Sequence, residues 1–331
     1  SLLRTRPPPN HRLVQRKPKQ RRGPDVKNDS YDQGQVNIFD YAIGLLDVLN
    51  QKHYLSQWGV EQDFVDMRPK SLVAFKKTLG TIHQLRKALS EFTEEFNGEG
   101  RPPEFRSISF PPDIDAFFEA SESHVKTSAF SDTVLVYTPV YRERGVSHSK
   151  SVLGVMIGIA IAHLSGLADG VATRGALEVD LGCEDMFDEL YGPCLSKAHQ
   201  LESELAGHPR ILIGDGLIDT LKIMQTEKTD PYLSRVNKDV AEFALSIIRE
   251  DHDGLNILDY AGQAMKNYFR EAALKAGEDA DSVCDLYKRA ENFASKSKLE
   301  FKETNIKLYR RYTKLENYFI SSRAGSNSST Y

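Results

Sequence analysis

The sequence predicts an α/β (α+β) fold, a central sheet flanked by helices with a helical C-terminal extension. Three observations carry this. Short apolar, β-branched runs at residues 36–49, 133–141, 171–181 and 209–214 alternate with longer stretches of helical spacing. Their order, with a short alternating run at 106–110, is strand, helix, strand, strand, helix, strand, helix, strand, the pattern of a sheet with helices laid on it. From about residue 234 the composition turns charged and helical.

The 331 residues allow one large domain or two ordinary ones. Residues 1–36 read as a basic arm: residues 1–22 hold eight Lys or Arg and no acid, and five prolines fall within 1–24. Such a segment builds no core and is expected to be extended or disordered alone. It can bind nucleic acid or phosphate, or neutralise an acidic surface, and the lack of interleaved aromatic residues favours the second role. The formal net charge of −4 conceals an acidic body beyond residue 22, with 35 bases against 47 acids, so nucleic acid is not expected as the main ligand.

The first strand ends near Leu49 and leads into a polar turn, and residues 57–67 form a connector. A helix is predicted over 69–96, where Leu72, Phe75, Leu79, Ile82, Leu85, Leu89, Phe92 and Phe96 recur at three- or four-residue steps. Its spacing suits a core face and also a dimer seam. Residues 113–123 are a helical piece. The run 151–167 is a buried helix, its apolar stretch 152–164 being shorter than the roughly 20 residues of a membrane span. Gly154 and Gly158 on it suggest close packing against the sheet. A further helix opens at Tyr191-Gly192-Pro193 and runs to Ala206. The tail reads as helices over 236–249, 257–275, 279–295 and 298–321, with an acidic turn at 251–254.

Several classes are disfavoured. Cys183, Cys194 and Cys284 lie far apart without a CxxC, which speaks against structural zinc and disulfides and fits a reducing cytoplasm. Nothing resembles a GxSxG nucleophile elbow, and the nine histidines show no HExxH spacing. The first residues show no apolar h-region, so no secretory signal peptide is visible in them.

Two apolar runs each carry one acid at an end. Residues 41–49, YAIGLLDVL, end on Asp47, and 129–137, AFSDTVLVY, open their apolar part on Asp132. Each acid alone reads as a cap or turn residue. Together, carboxylates at two strand ends are a means of holding hard cations against a phosphate-bearing substrate. Asp40 competes with Asp47 but stands at its strand's beginning.

The segments LLDVLNQ (45–51), FSDTVLV (130–136), TRGALEVDLG (173–182), YGPCLSKAHQLES (191–203) and PRILIG (209–214), taken in order, resemble the class III nucleotide cyclase catalytic domain. The closer likeness is to bacterial cyclases of anti-phage signalling that make cyclic pyrimidine nucleotides. HDGLNILDY (252–260) and KLENYF (314–319) are similar to tail segments of that group. The resemblance implies a cyclase-like sheet domain over 37–225 and a helical extension over 226–331. It implies two Mg²⁺ or Mn²⁺ ions per site held by Asp47, Asp132 and the Val48 carbonyl, and a turn from Leu49 through Asn50 to His53 whose N–H groups lie along the phosphates. Arg174 matches the family's triphosphate-binding arginine; pairing with Glu178 or Asp180 is the alternative.

The implied reaction converts a nucleoside triphosphate into a 3′,5′-cyclic monophosphate and pyrophosphate. It implies a homodimer with sites between two catalytic domains, and a separate cyclic-nucleotide-responsive effector. The chain also departs from the family pattern. The helix positions that carry a transition-state asparagine and arginine hold Ser196 and Gln200. Lys197, Arg210 and Lys222 are the nearby bases that could substitute. The base-reading positions hold Ser128 and Glu189, matching neither an adenylate nor a guanylate cyclase. The expected activity is therefore on UTP or CTP, UTP slightly favoured. An adenylate or guanylate cyclase and an inactive nucleotide-binding module are the alternatives.

Overall fold

Alternation along the first strand decides the layering. In β1 (Ile38–Val48), Ala42, Leu46 and Val48 enter one apolar cluster and Tyr41, Ile43 and Leu45 another. Successive side chains of a strand point to opposite faces, so β1 is covered on both. The computed structural model describes residues 38–49, 67–98, 123–141, 148–185, 189–228 and 231–324. These belong to one compact unit, and they are a mixed α/β assembly of eight strands and eight helices.

After β1 come α1 (Met67–Gly98), β2 (Lys126–Phe130), β3 (Thr133–Pro139), α2 (Ser149–Ala168) and β4 (Thr173–Glu184). This β-α-β-β-α-β order forms a split βαβ unit in which β3 lies between β2 and β1 and β4 flanks β1, all antiparallel. Next are β5 (Leu190–Tyr191), α3 (Pro193–Gln200), a π-helical turn (Leu201–Leu205), β6 (Ile211–Ile213) and α4 (Asp215–Thr226). The tail comprises α5 (Pro231–Ser246), β7 (Ile248–Glu250), β8 (Asn256–Leu258), α6 (Gln263–Lys275), α7 (Ala280–Phe301) and α8 (Ile306–Ala324). The sheet order is β2-β3-β1-β4-β6-β8-β7, with β5 beside β4.

The α2 helix forms the centre of the larger cluster. It is 20 residues long and apolar enough to cross a membrane, yet 83% of its most apolar window is buried within the protein. Ile82, Leu85, Leu89 and Phe96 of α1 join its cluster, so these positions form a core face, while Leu79 of the same stripe is exposed. Gly154 and Gly158 pack against α1, at Phe96 and Phe92, and not against the sheet as expected. The close approach of α2 to the sheet occurs at Gly44 of β1, where a Cβ would lie 2.3 Å from Ile159 Cγ1.

Two further differences concern the tail and the hairpin. The segment 226–331 is not purely helical: β8 pairs with β6 and β7 with β8, extending the same sheet. The strand preceding β3 is β2 at Lys126–Phe130, an edge strand absent from the sequence reading. The arm at 1–36, the connector, the strand at 106–110, the helical piece up to 122, Asn50 to His53, and the last residues from 325 lie outside the described residues.

Candidate active site

The site forms at the end of β1. Asp47 follows Tyr41, Ile43 and Leu45 on the face covered by α3, its partners in register being Thr133 on β3 and Arg174 on β4. Asp132 sits in the two-residue turn joining β2 to β3, beside that strand end. Ser131 adopts φ 53°, which the tight turn requires. Arg86 of α1 donates to the Ser131 carbonyl at 3.1 Å and so braces the turn that presents Asp132. The Asp132 carbonyl accepts from the Val48 amide at 3.3 Å, which ties the two acidic segments together.

Arg174 lies across from Asp47, with Nη2 3.8 Å from Asp47 Oδ2. Its Nε makes a close ion pair with Glu202 Oε1. It pairs with neither Glu178 nor Asp180. The Glu178 carboxylate lies against Gly214 and Gly216 at the start of α4, and Asp180 pairs with Lys197. One residue before Arg174, the buried Thr173 hydroxyl lies 2.6 Å from His163 Nδ1 of α2. Burial pushes His163 down to about 3, so a neutral imidazole anchors this strand end.

Glu202 is the member that sequence reasoning missed. Cys194, Ala198, Glu202 and Ala206 are all buried and recur every four residues along α3 and the turn after it. In an α-helix a four-residue step overshoots one turn by about 40°, so such a stripe drifts off its face. The π turn, closed by the Ala206 amide on the Leu201 carbonyl at 3.0 Å, widens the helix where the drift would accumulate. The signal available in the sequence was a carboxylate in register with Cys194 and Ala198.

The exit of the turn is fastened by Arg210. Its guanidinium donates to the Leu205 and Ala206 carbonyls at 2.9 Å each, and to Asp251 at 2.7 Å and Asp253 at 2.8 Å. Asp251, His252 and Asp253 also form a cluster with metal-ligating atoms close together. A guanidinium already occupies its two carboxylates.

Electrostatics follow from this geometry. Burial, then Glu202 and Asp132, push Asp47 up to about 7, against Arg174 and a hydrogen bond with Thr133. Burial also raises Glu202, against the pull of Arg174. Asp47 and Asp132, two partly exposed carboxylates at neighbouring strand ends, are oxygen donors of the kind a hard divalent cation takes, while Glu202 is engaged with Arg174; the three are not gathered as closely as Asp251, His252 and Asp253.

The other expected positions are not gathered here. The amides of Val48 and Leu49 are bonded to Asp132 and Ala172 carbonyls, the latter at 2.8 Å, so these two N–H groups do not face a phosphate. Ser128 shares the α3 face through its pairing with Leu135, but lies two residues, about 7 Å, up β2 from the Phe130–Thr133 pair that closes the turn holding Asp132. Glu189 accepts from the Tyr191 hydroxyl at 2.9 Å, at the far end of β4. Ten residues, about 33 Å of strand, separate Arg174 from Glu184 there. Ser196 and Gln200 lie on the exposed side of α3, and Gln200 donates to Glu204 at 3.2 Å. Asp40 is seven residues, about 23 Å, up β1 from Asp47. Comparison with protein-family models, with curated proteins and with solved structures found no match.

Proposed function

We propose that the chain is a metal-dependent nucleotide cyclase of the class III type, acting on a pyrimidine nucleoside triphosphate, with UTP favoured over CTP. One observation carries the reading. Asp47 closes β1 of a split βαβ sheet, Asp132 lies in the turn that opens the neighbouring antiparallel β3, and Arg174 faces Asp47 from β4 on the other side. A lone strand-end acid has many uses, but one raised by burial and by a second acid, beside an arginine, suits a cation and a polyphosphate.

In this reading Asp47, Asp132 and the Val48 carbonyl hold two Mg²⁺ or Mn²⁺ ions. When bound, the ions acidify the attacking hydroxyl and neutralise the triphosphate. The chain's residues supply the positioning. Arg86 fixes the turn that aims Asp132. Glu202 grips Arg174 through Nε, which leaves the terminal nitrogens of the guanidinium toward the site. A guanidinium held this way is preorganised to receive a phosphate oxygen. The ribose 3′-oxygen bonds to the α-phosphorus, its proton passes to water, the bond to the β-phosphate oxygen breaks, and pyrophosphate leaves.

The site is expected to be completed by a second copy of the chain. Ser196 and Gln200 on the outer side of α3, and the exposed Ile38, Phe39, Leu181 and Tyr191 near it, are available for such a contact. The product would act as a cytoplasmic second messenger on a separate effector, in anti-phage defence by the likeness drawn from sequence. A second reading, a nucleotide-binding module without turnover, is favoured by the uncharged Ser196 and Gln200. Lys197 and Arg210 do not simply replace them, since each is held by aspartate. The deciding experiment incubates the protein with ATP, GTP, CTP and UTP in turn with Mn²⁺ and identifies products by mass. One cyclic nucleotide, lost in Asp47→Ala, supports the cyclase; nucleotide binding without product supports the module.

A further inference from the structure

The helical hairpin of α7 and α8 closes its core without two of its own aliphatic side chains. Inside the turn, Phe301 stacks on Tyr312 with ring centroids 5.7 Å apart, and Leu308 packs against the same cluster. Leu299 and Ile306 flank that turn and face water, 69% and 61% exposed, Leu299 being the most exposed large apolar residue among those described. Fraying does not account for them. The Asn305 amide donates to the Phe301 carbonyl at 3.0 Å, and the Thr304 hydroxyl to the Glu300 carbonyl at 3.2 Å. Asn305 Oδ1 accepts from the Leu308 amide at 3.1 Å and so caps α8. A turn tied at these points presents both side chains in defined places.

Around these two residues the charge changes sign. Residues 296–314 hold seven of the 35 bases beyond residue 22 but only two of the 47 acids, Glu300 and Glu303. Of the seven, Lys298 is held by Glu316 at 2.6 Å and Arg311 is half-buried. The other five, Lys296, Lys302, Lys307, Arg310 and Lys314, are exposed, and among the described residues no ion pair engages them. Lys296 precedes Leu299 by three residues on α7, Lys302 lies in the turn, and Ile306, Arg310 and Lys314 follow one another at four-residue steps on α8. Unpaired cations and open aliphatic side chains thus share the tip of one hairpin. An anionic bilayer surface takes both, the charge at its headgroups and the aliphatics at the acyl boundary. Nucleic acid takes the charge but gains little from aliphatics, since sequence-independent binding uses phosphate contacts and open rings for stacking. The rings here are not open: Phe301 and Tyr312 face each other, and Tyr309 is half-buried.

We infer that the α7–α8 turn docks on a membrane surface rich in anionic lipid, with Leu299 and Ile306 entering the headgroup layer and the five cations around them lying against lipid phosphates. No segment spans the bilayer in this mode. Two aliphatic side chains and a basic ring make a peripheral, reversible and salt-sensitive contact. The surface does not depend on the nucleotide chemistry proposed for Asp47 and Asp132.

The test floats the full chain with vesicles of phosphatidylcholine alone, or with about one lipid in three replaced by phosphatidylserine. The parent should bind the anionic vesicles on the order of tenfold better than the neutral ones, and lose that preference as salt rises. Leu299→Gln combined with Ile306→Gln should weaken anionic binding about tenfold at an unchanged melting temperature. Lys302→Glu combined with Lys307→Glu swings four charges at about fivefold each, so a loss on the order of a hundredfold is expected. Leu274→Gln, at a 61% exposed leucine on α6, should change nothing. The basic arm is present in every variant and cancels from these ratios. If the glutamine pair lowers the melting temperature, Leu299→Gln alone, which leaves the start of α8 intact, should still weaken binding about threefold. Anionic binding that the glutamine variants leave unchanged overturns the inference, because charge alone would then account for it. Duplex DNA bound by the parent, lost in the glutamate pair and kept in the glutamine pair, with no vesicle binding, makes the tip a nucleic-acid surface and also overturns it. A solution dimer that the glutamine pair dissociates, without vesicle binding, assigns the tip to a second copy of the chain and overturns it as well.

Discussion

Replacing Asp47 by Asn should stabilise the metal-free protein while removing its proposed chemistry. Asp47 is pushed from 3.8 to about 7 by burial, Glu202 and Asp132. The unfolded chain loses this proton near pH 4, the folded chain only near 7. The raised group therefore favours the folded state below about pH 4, and that advantage is lost as pH rises to 7. Three units at about 1.4 kcal/mol each give an upper bound of about 4 kcal/mol at pH 8. The side chain is 23% exposed, so solvent screening lowers this, and we expect about 1–3 kcal/mol. For a chain of this size that is roughly 1–4 °C in melting temperature. The assay is thermal unfolding in EDTA from pH 4 to 8. The variant should match the parent near pH 4 and exceed it increasingly up to pH 7, and adding Mn²⁺ should raise the parent alone. A variant less stable than the parent at pH 8 would mean that Asp47 serves chiefly as a partner of Arg174, and the argument from crowded carboxylates would fall.

Asp132→Ala should lose triphosphate turnover, followed by pyrophosphate release, with an unchanged circular dichroism spectrum; retained turnover would remove the proposed site. Gly44→Ala should destabilise by about 1–3 kcal/mol, because the new Cβ meets Ile159 at 2.3 Å. Adding Ile159→Val should recover part of that loss in a double-mutant cycle of urea melts. Arg210→Met should destabilise by about 3–5 kcal/mol by leaving Asp251 and Asp253 unpaired. Burial raises Asp251, but hydrogen bonds from His252 and Arg210 outweigh it and bring the group down to about 2. The stability Asp251 contributes is thus present above about pH 4 and lost as pH falls through 2, and Arg210→Met should flatten that acid limb.

The parts of the site that were legible in sequence depend on local pattern alone. Asp47 and Asp132 close or open apolar strands, and a period of two fixes their face once the strand is recognised. Arg174 near the start of β4 was legible for the same reason, though its partner was not. Glu202 was hidden because its orientation depends on a π turn, and a one-residue widening leaves no composition signal. The β2 strand, KTSAF, is a half-exposed edge strand with one large apolar side chain, so it offered no alternation to read. β7 and β8 have three residues each, too short for any period to show. In α4 a signal was present, since Leu217, Leu221 and Met224 are buried at helical steps.

The pairing of β8 with β6 has a practical consequence. A boundary drawn near residue 225, where the resemblance to a catalytic domain fades, cuts through one continuous sheet. A truncated chain would expose the backbone of β6 as a new edge, and the Leu212 and Ile257 side chains would lose each other. Such a fragment should aggregate and not behave as a minimal enzyme. The tail is also a poor cassette for grafting onto other catalytic cores, because its strands and the fold they complete were never separate modules.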